Sequence, residues 1–110
     1  MRASDVYATV RKYASQNRIG YIHFRNVKGK VPEYSETFVD EGDIDMGEIV
    51  RILAECAYDG VLIPDHTPEL HCSAPWHAGM GFALGYMRAL LQEQERGRAR
   101  QAPPQIRRSA

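Results

Sequence analysis

The chain has 110 residues, 44% hydrophobic and 25% charged, which suits one small globular domain with one modest core. No apolar run approaches the ~20 residues of a membrane span, and the N-terminal "MRASDVYATVRKYA" lacks a signal-peptide core, so no membrane partner and a cytoplasmic location are expected. Fourteen basic and fourteen acidic residues cancel, but unevenly: five Arg against two Glu from Gln92 onward give +3, leaving 9 − 12 = −3 for residues 1–91.

Ser4 can cap a first helix over 4–16, in which Val6, Val10, Tyr13 and Ala14 recur at helical spacing. Asn17 and Gly20 in "SQNRIG" end it. "YIHFRNV" predicts a strand at 20–27, with His23 and Arg25 on one side and Ile22 and Phe24 on the other. The acid-rich "KGKVPEYSETFVDEGDI" follows as a long connection, of the kind that forms a binding loop or lid or else is disordered. "DIDMGEIVRILAEC" then predicts a second helix with Asp45 as N-cap and Glu48 completing a capping box. Ile44 is placed to staple onto Ile49, and Ile49, Ile52, Leu53 and Cys56 form the apolar stripe.

"YDGVLIPDH" predicts a second strand at 60–65, apolar on both faces as in a strand covered on both sides. "AGMGFALGYMRALLQEQ" predicts a third helix with Met80, Ala83, Leu84, Met87, Leu90 and Leu91 inward. The end of the chain is poor in apolar residues and has two adjacent prolines, which predicts a disordered basic tail at 93–110 behind a folded segment at 1–92. Its arginines lack interleaved aromatic residues, so it reads as solvated and no nucleic-acid partner is expected. Cys56 and Cys72 do not make a disulfide framework.

The order is thus α-β-α-β-α, an α/β class in which two strands joined through a helix lie parallel with a right-handed crossover. Two parallel strands with three helices cannot cover their own edges and faces. The expectation is a piece of a larger α/β structure that oligomerises or associates with further strands.

Parallel α/β proteins build sites at the C-terminal ends of strands. His23, Arg25 and Asn26 lie at one such end, and Asp65 and His66 at the next. An imidazole and a carboxylate from neighbouring strands suit a divalent ion such as Mn²⁺, Fe²⁺ or Zn²⁺, and Arg25 could hold a substrate carboxylate bidentately. Alone, His23 can equally be a strand histidine bonded to a backbone carbonyl, and Asp65 a turn acid; two polar strand ends together favour a site. A rival cluster is His66, His71, Cys72 and His77, enough ligands for structural zinc but at the spacing of no familiar finger or knuckle. Trp76 is either a core anchor or a lid.

"YIHFRNVKG", "ETFVDEGDIDM", "YDGVLIPDHTP" and "WHAGMGFALGYMRALL" together resemble the C-terminal part of mannonate dehydratases, over about residues 4 to 92. The resemblance implies a partial TIM (β/α)₈ barrel. It implies dehydration of D-mannonate to 2-dehydro-3-deoxy-D-gluconate in hexuronate breakdown, with Mn²⁺ or Fe²⁺ as cofactor. It further implies that His23 and Asp65 are metal ligands, that His66 is the catalytic acid/base, and that Arg25 and Asn26 touch substrate. The family's other two ligands, a histidine and a cysteine on earlier strands, have no counterpart here, and Met80 stands where a catalytic tyrosine is sought. A complete barrel takes ~250 residues, so the chain reads as the end of such an enzyme, inactive by itself. The alternatives are a non-catalytic barrel remnant that oligomerises or docks on another subunit, and a related metal-dependent sugar isomerase or epimerase.

Overall fold

The computed structural model describes residues 3–30, 32–65, 68 and 70–101. Helix α1 spans Ala3–Ser15 and ends in a left-handed turn at Asn17, φ 57°. There the Arg18 amide donates to the Tyr13 carbonyl and the Asn17 amide to that of Ala14, the paired bonds of a Schellman cap. Strand β1, Tyr21–Phe24, follows, shorter than the expected 20–27: Arg25 and Asn26 lie beyond its end and Val27 opens the next strand.

The long connection is not irregular throughout. Strands β2, Val27–Lys30, and β3, Glu33–Glu36, pair antiparallel, with Val27 opposite Glu36 and Lys30 opposite Glu33. Gly29 permits this pairing: its φ is 101°, and a Cβ there would lie 2.6 Å from the Glu33 carbonyl oxygen. Asp43 ties the ribbon to the following loop, its amide donating to the Val27 carbonyl at 2.8 Å and its Oδ2 accepting from the Gly29 amide at 2.8 Å.

Helix α2, Met46–Glu55, is capped as its sequence predicts, with the Asp45 carboxylate accepting from the Glu48 amide at 3.2 Å. The other half of the capping box does not form. The Asp45 amide instead donates to the Tyr7 hydroxyl at 2.8 Å, and the Glu48 carboxylate pairs with Arg51. The helix stops at a second Schellman cap built on Ala57, φ 56°.

Strand β4, Val61–Pro64, pairs parallel to β1 in the register Tyr21↔Val61, Ile22↔Leu62, His23↔Ile63 and Phe24↔Pro64. One face of this ribbon, with Phe24 fully buried and Ile22 and Leu62 packed beside it, joins the core made with Ala14, Val39, Ile49, Val50, Leu53, Ala83 and Met87. The other face carries Tyr21 and Val61, both more than 60% exposed, so β4 is not covered on both sides as its sequence suggests.

Helix α3 runs from Pro75 to Gln101, so residues 93–101 of the expected tail are helical. Glu, Gln, Ala and Arg are strong helix formers, and Glu93 pairs with Arg96 at 4.0 Å and Arg100 at 3.3 Å along that stretch. Ala83 and Met87 face inward as expected, but Leu84 and Leu91 are exposed beside a groove of about 640 Å³ that Val50, Leu53 and Leu62 also line. Trp76, 58% exposed, is not a core anchor. Among the described residues no helix is long and apolar enough to cross a membrane.

The fold is therefore mixed α/β. The parallel pair β1–β4 shares one side-chain core with the three helices, and the β2–β3 ribbon follows the C-terminal end of β1.

Candidate active site

The parallel register decides which side chains meet. With Phe24 opposite Pro64, the residues just past each strand end are neighbours in space although they are far apart in sequence. His23 Nδ1 lies 3.4 Å from Asp65 Oδ2. Arg25 Nη1 approaches the same carboxylate oxygen at 3.8 Å and Glu36 Oε1, on the β2–β3 ribbon, at 3.5 Å. The Asp65 side chain is the most enclosed of the three strand-end groups at 24% exposure, against 38% for Arg25 and 52% for His23. Side chains so open can exchange partners with a solute, and the four form one string: His23, Asp65, Arg25, Glu36.

The pair of His23 and Asp65 has the separation that two ligands of one ion need. Donors at 2.0–2.2 Å from a common ion stand about 3.0–3.5 Å apart, depending on the angle between them. Nitrogen and carboxylate oxygen together suit Mn²⁺, Fe²⁺ or Zn²⁺. Among the described residues no third His, Cys, Asp or Glu joins them, and none of His71, Cys72 and His77 gathers into a group of three. The rival zinc cluster is therefore not assembled from those residues; His66, its fourth member and the expected acid/base, lies outside the described residues.

Asn26 has a different part from the expected substrate contact. It is 3% exposed, and its amide bonds to main chain on both sides. Nδ2 donates to the carbonyls of Val39 at 3.1 Å and Ile44 at 2.6 Å, while Oδ1 accepts from the amides of Val27 at 3.0 Å and Ile44 at 3.2 Å. With both donors and both lone pairs engaged, the side chain has nothing left to offer a substrate. It braces the 37–45 loop against the end of β1.

Sequence reasoning missed Glu36. The available signal was its place in an acid-rich segment directly after a strand bearing Arg25, but nothing in the residues themselves indicates which of those acids folds back.

The chain is similar to proteins of known kind. Mannonate dehydratase of Streptococcus pneumoniae (strain 70585) is 37% identical over 65 residues, covering 57% of this chain and 18% of that protein. Mannonate dehydratase of Lactococcus lactis subsp. lactis (strain IL1403) is 30% identical over 69 residues, covering 58% of this chain and 19% of that protein. The crystal structure of mannonate dehydratase from Streptococcus suis serotype 2 superposes with a TM-score of 0.68 at 27% identity, over 96% of this chain and 32% of that one. The chain thus spans about a fifth of the length of these curated relatives and about a third of the solved chain. Residues 1–97 match the family model described as D-mannonate dehydratase (UxuA), and the chain belongs to that family.

Proposed function

We propose that this chain supplies two strand ends of a metal-dependent dehydratase acting on D-mannonate, within a (β/α)₈ barrel whose site lies at the C-terminal ends of its strands. The observation that carries the reading is the 3.4 Å approach of His23 Nδ1 to Asp65 Oδ2 at the ends of two paired parallel strands, in a chain of this family. The exposed apolar face of the β1–β4 pair supports association with further strands or subunits, since among the described residues these two strands pair only with each other.

Dehydration of a 2,3-dihydroxy acid removes the proton on carbon 2 and releases the 3-hydroxyl as water; the enol left behind becomes the 2-keto acid. A divalent ion, when bound, supplies positive charge against the electron density that builds beside the substrate carboxylate. In this reading His23 and Asp65 hold that ion, an assignment their donor types and separation fit. Arg25 offers a guanidinium fork to the substrate carboxylate, fixing the acid end of the sugar chain. His66 follows Asp65 directly in sequence and takes the acid/base role, its imidazole protonating the departing hydroxyl. Asn26 contributes by holding the loop rather than by touching substrate.

The test places residues 3–101 in the corresponding segment of the Streptococcus suis enzyme. There, Asp65→Ala should remove bound metal and mannonate dehydration together. His66→Asn should leave metal content near that of the parent while turnover falls by about 10²-fold, the usual scale for loss of a general acid. A His66→Asn chimera that loses its metal, beside an Asp65→Ala chimera that keeps it, would reverse the two roles.

A further inference from the structure

We infer that Glu36 is a positioning residue for the cation site, acting through Arg25; the inference rests on the reading of His23 and Asp65 as ligands. A single carboxylate oxygen, Asp65 Oδ2, faces both His23 Nδ1 at 3.4 Å and Arg25 Nη1 at 3.8 Å. A divalent ion on that oxygen and a guanidinium on the same oxygen repel one another, so Arg25 competes with the ion the pair would bind. The same guanidinium nitrogen is shared with Glu36 Oε1, at 3.5 Å. Glu36 draws Arg25 away from Asp65 and offsets its charge.

The backbone gives this sharing a fixed geometry. Glu36 is the last residue of β3 and pairs with Val27, two residues beyond Arg25. The Thr37 amide also reaches back to the Asn26 carbonyl, at 3.4 Å. The ribbon that carries Glu36 therefore cannot shift without moving the second partner of Arg25. Its attachment through Gly29 and Asp43 makes the ribbon a structural determinant of cation affinity, although none of its residues is a ligand. Arg25 and Glu36 are both partly exposed, and charges so placed interact weakly through water. The effect is correspondingly moderate, and it shows only in comparison between variants.

The experiment titrates the 110-residue chain with Mn²⁺ alone and follows loss of the free-ion electron paramagnetic resonance signal, with circular dichroism confirming that each variant keeps its helices. Glu36→Gln should weaken Mn²⁺ binding by about 5-fold, and Arg25→Met should tighten it by about as much, the scale of one partly screened charge near a doubly charged ion. Glu36→Asp, which keeps the charge, should stay close to the parent. In the Arg25→Met background, adding Glu36→Gln should change affinity by less than about 2-fold, because the residue through which Glu36 acts is gone. An undiminished loss in that background would mean that Glu36 acts by its own charge and would overturn the inference, as would an unchanged affinity of Glu36→Gln alone. Asp65→Asn separates the two levels. If it binds Mn²⁺ as the parent does, the ligand reading itself fails; if it loses binding while Glu36→Gln does not, only the role of Glu36 fails. A parent chain that binds no Mn²⁺ removes both.

Discussion

Gly42 lies against the amide of Asn26 so closely that a Cβ on it would fall 2.1 Å from Oδ1 and 2.7 Å from the Val27 carbonyl oxygen. Only a residue without a side chain lets the 37–45 loop approach the end of β1 closely enough for Asn26 to bond both Val39 and Ile44. Asn26→Ala should therefore cost about 3 kcal/mol or more, since several main-chain groups lose partners where water reaches poorly. Asn26→Asp should cost at least as much, because a carboxylate would face two carbonyl oxygens. Gly42→Ala should lower the thermal midpoint in the same way. Denaturant unfolding of the three variants checks this, and a cost below about 1 kcal/mol for Asn26→Ala would sink the bracing role.

Ala57 sits in the left-handed region, φ 56°, at the Schellman cap of α2, and it is exposed. A Cβ in that conformation costs about 1 kcal/mol that glycine does not incur, and little packing is at stake. Ala57→Gly should raise stability by several tenths to about 1 kcal/mol, the larger entropy of glycine in the unfolded chain taking back part of the gain. Thermal melting decides it: a lower midpoint would mean that the methyl group has a partner worth more than the strain.

Much of this was legible where sequence signals are local. Asp45 announces the start of α2 because N-capping depends on residues three apart, and the parallel pair followed from two apolar runs separated by a helix. The meeting of His23 with Asp65 followed from that pairing alone. The β2–β3 ribbon was not legible: it is largely exposed, dense in charge and without an apolar face, so no periodicity marks it. The bracing part of Asn26 was not legible for a similar reason. A polar residue at a strand end reads the same whether it faces substrate or main chain, and only burial and the count of its hydrogen bonds distinguish the two. In α3 the residue types suited a helix, but which leucines face inward depends on what surrounds the segment, and Leu84 and Leu91 found no cover.

Tyr86 gives the chain an alkaline limb. Burial first, then the carboxylates of Asp40 and Asp45, hold its phenol above the ordinary value near 10. The folded state thus favours the neutral phenol, so this contribution is fully present below pH 10 and is lost as pH rises through the folded-state value. Tyr86→Phe should melt like the parent at pH 8 and lose less stability between pH 9 and pH 11. Tyr58, raised by burial and by Asp59, should keep part of the decline in place. An identical alkaline decline in parent and Tyr86→Phe would show that the phenol is not the responsible group.

The exposed apolar surface should make the chain associate. Leu84 is 53% and Leu91 45% exposed on one side of α3, next to the groove that Leu53 and Leu62 line. Tyr21 and Val61 lie open on the ribbon. Exposed apolar surface of this kind is uncommon on monomers that remain dispersed, and among the described residues β1 and β4 pair only with each other, so their outer edges add a second way to stick. Sedimentation at micromolar concentrations should therefore show species heavier than 12.5 kDa. The double variant Leu84→Glu, Leu91→Glu should shift them toward monomer without loss of helix, because neither side chain belongs to the core. A parent chain that sediments as a monomer and unfolds in one sharp thermal transition would mean that the helices cover one another better than their exposure indicates. A double variant that stays associated while keeping its fold would move the contact from α3 to the ribbon. Val61→Lys, on the open face, then becomes the substitution expected to disperse it.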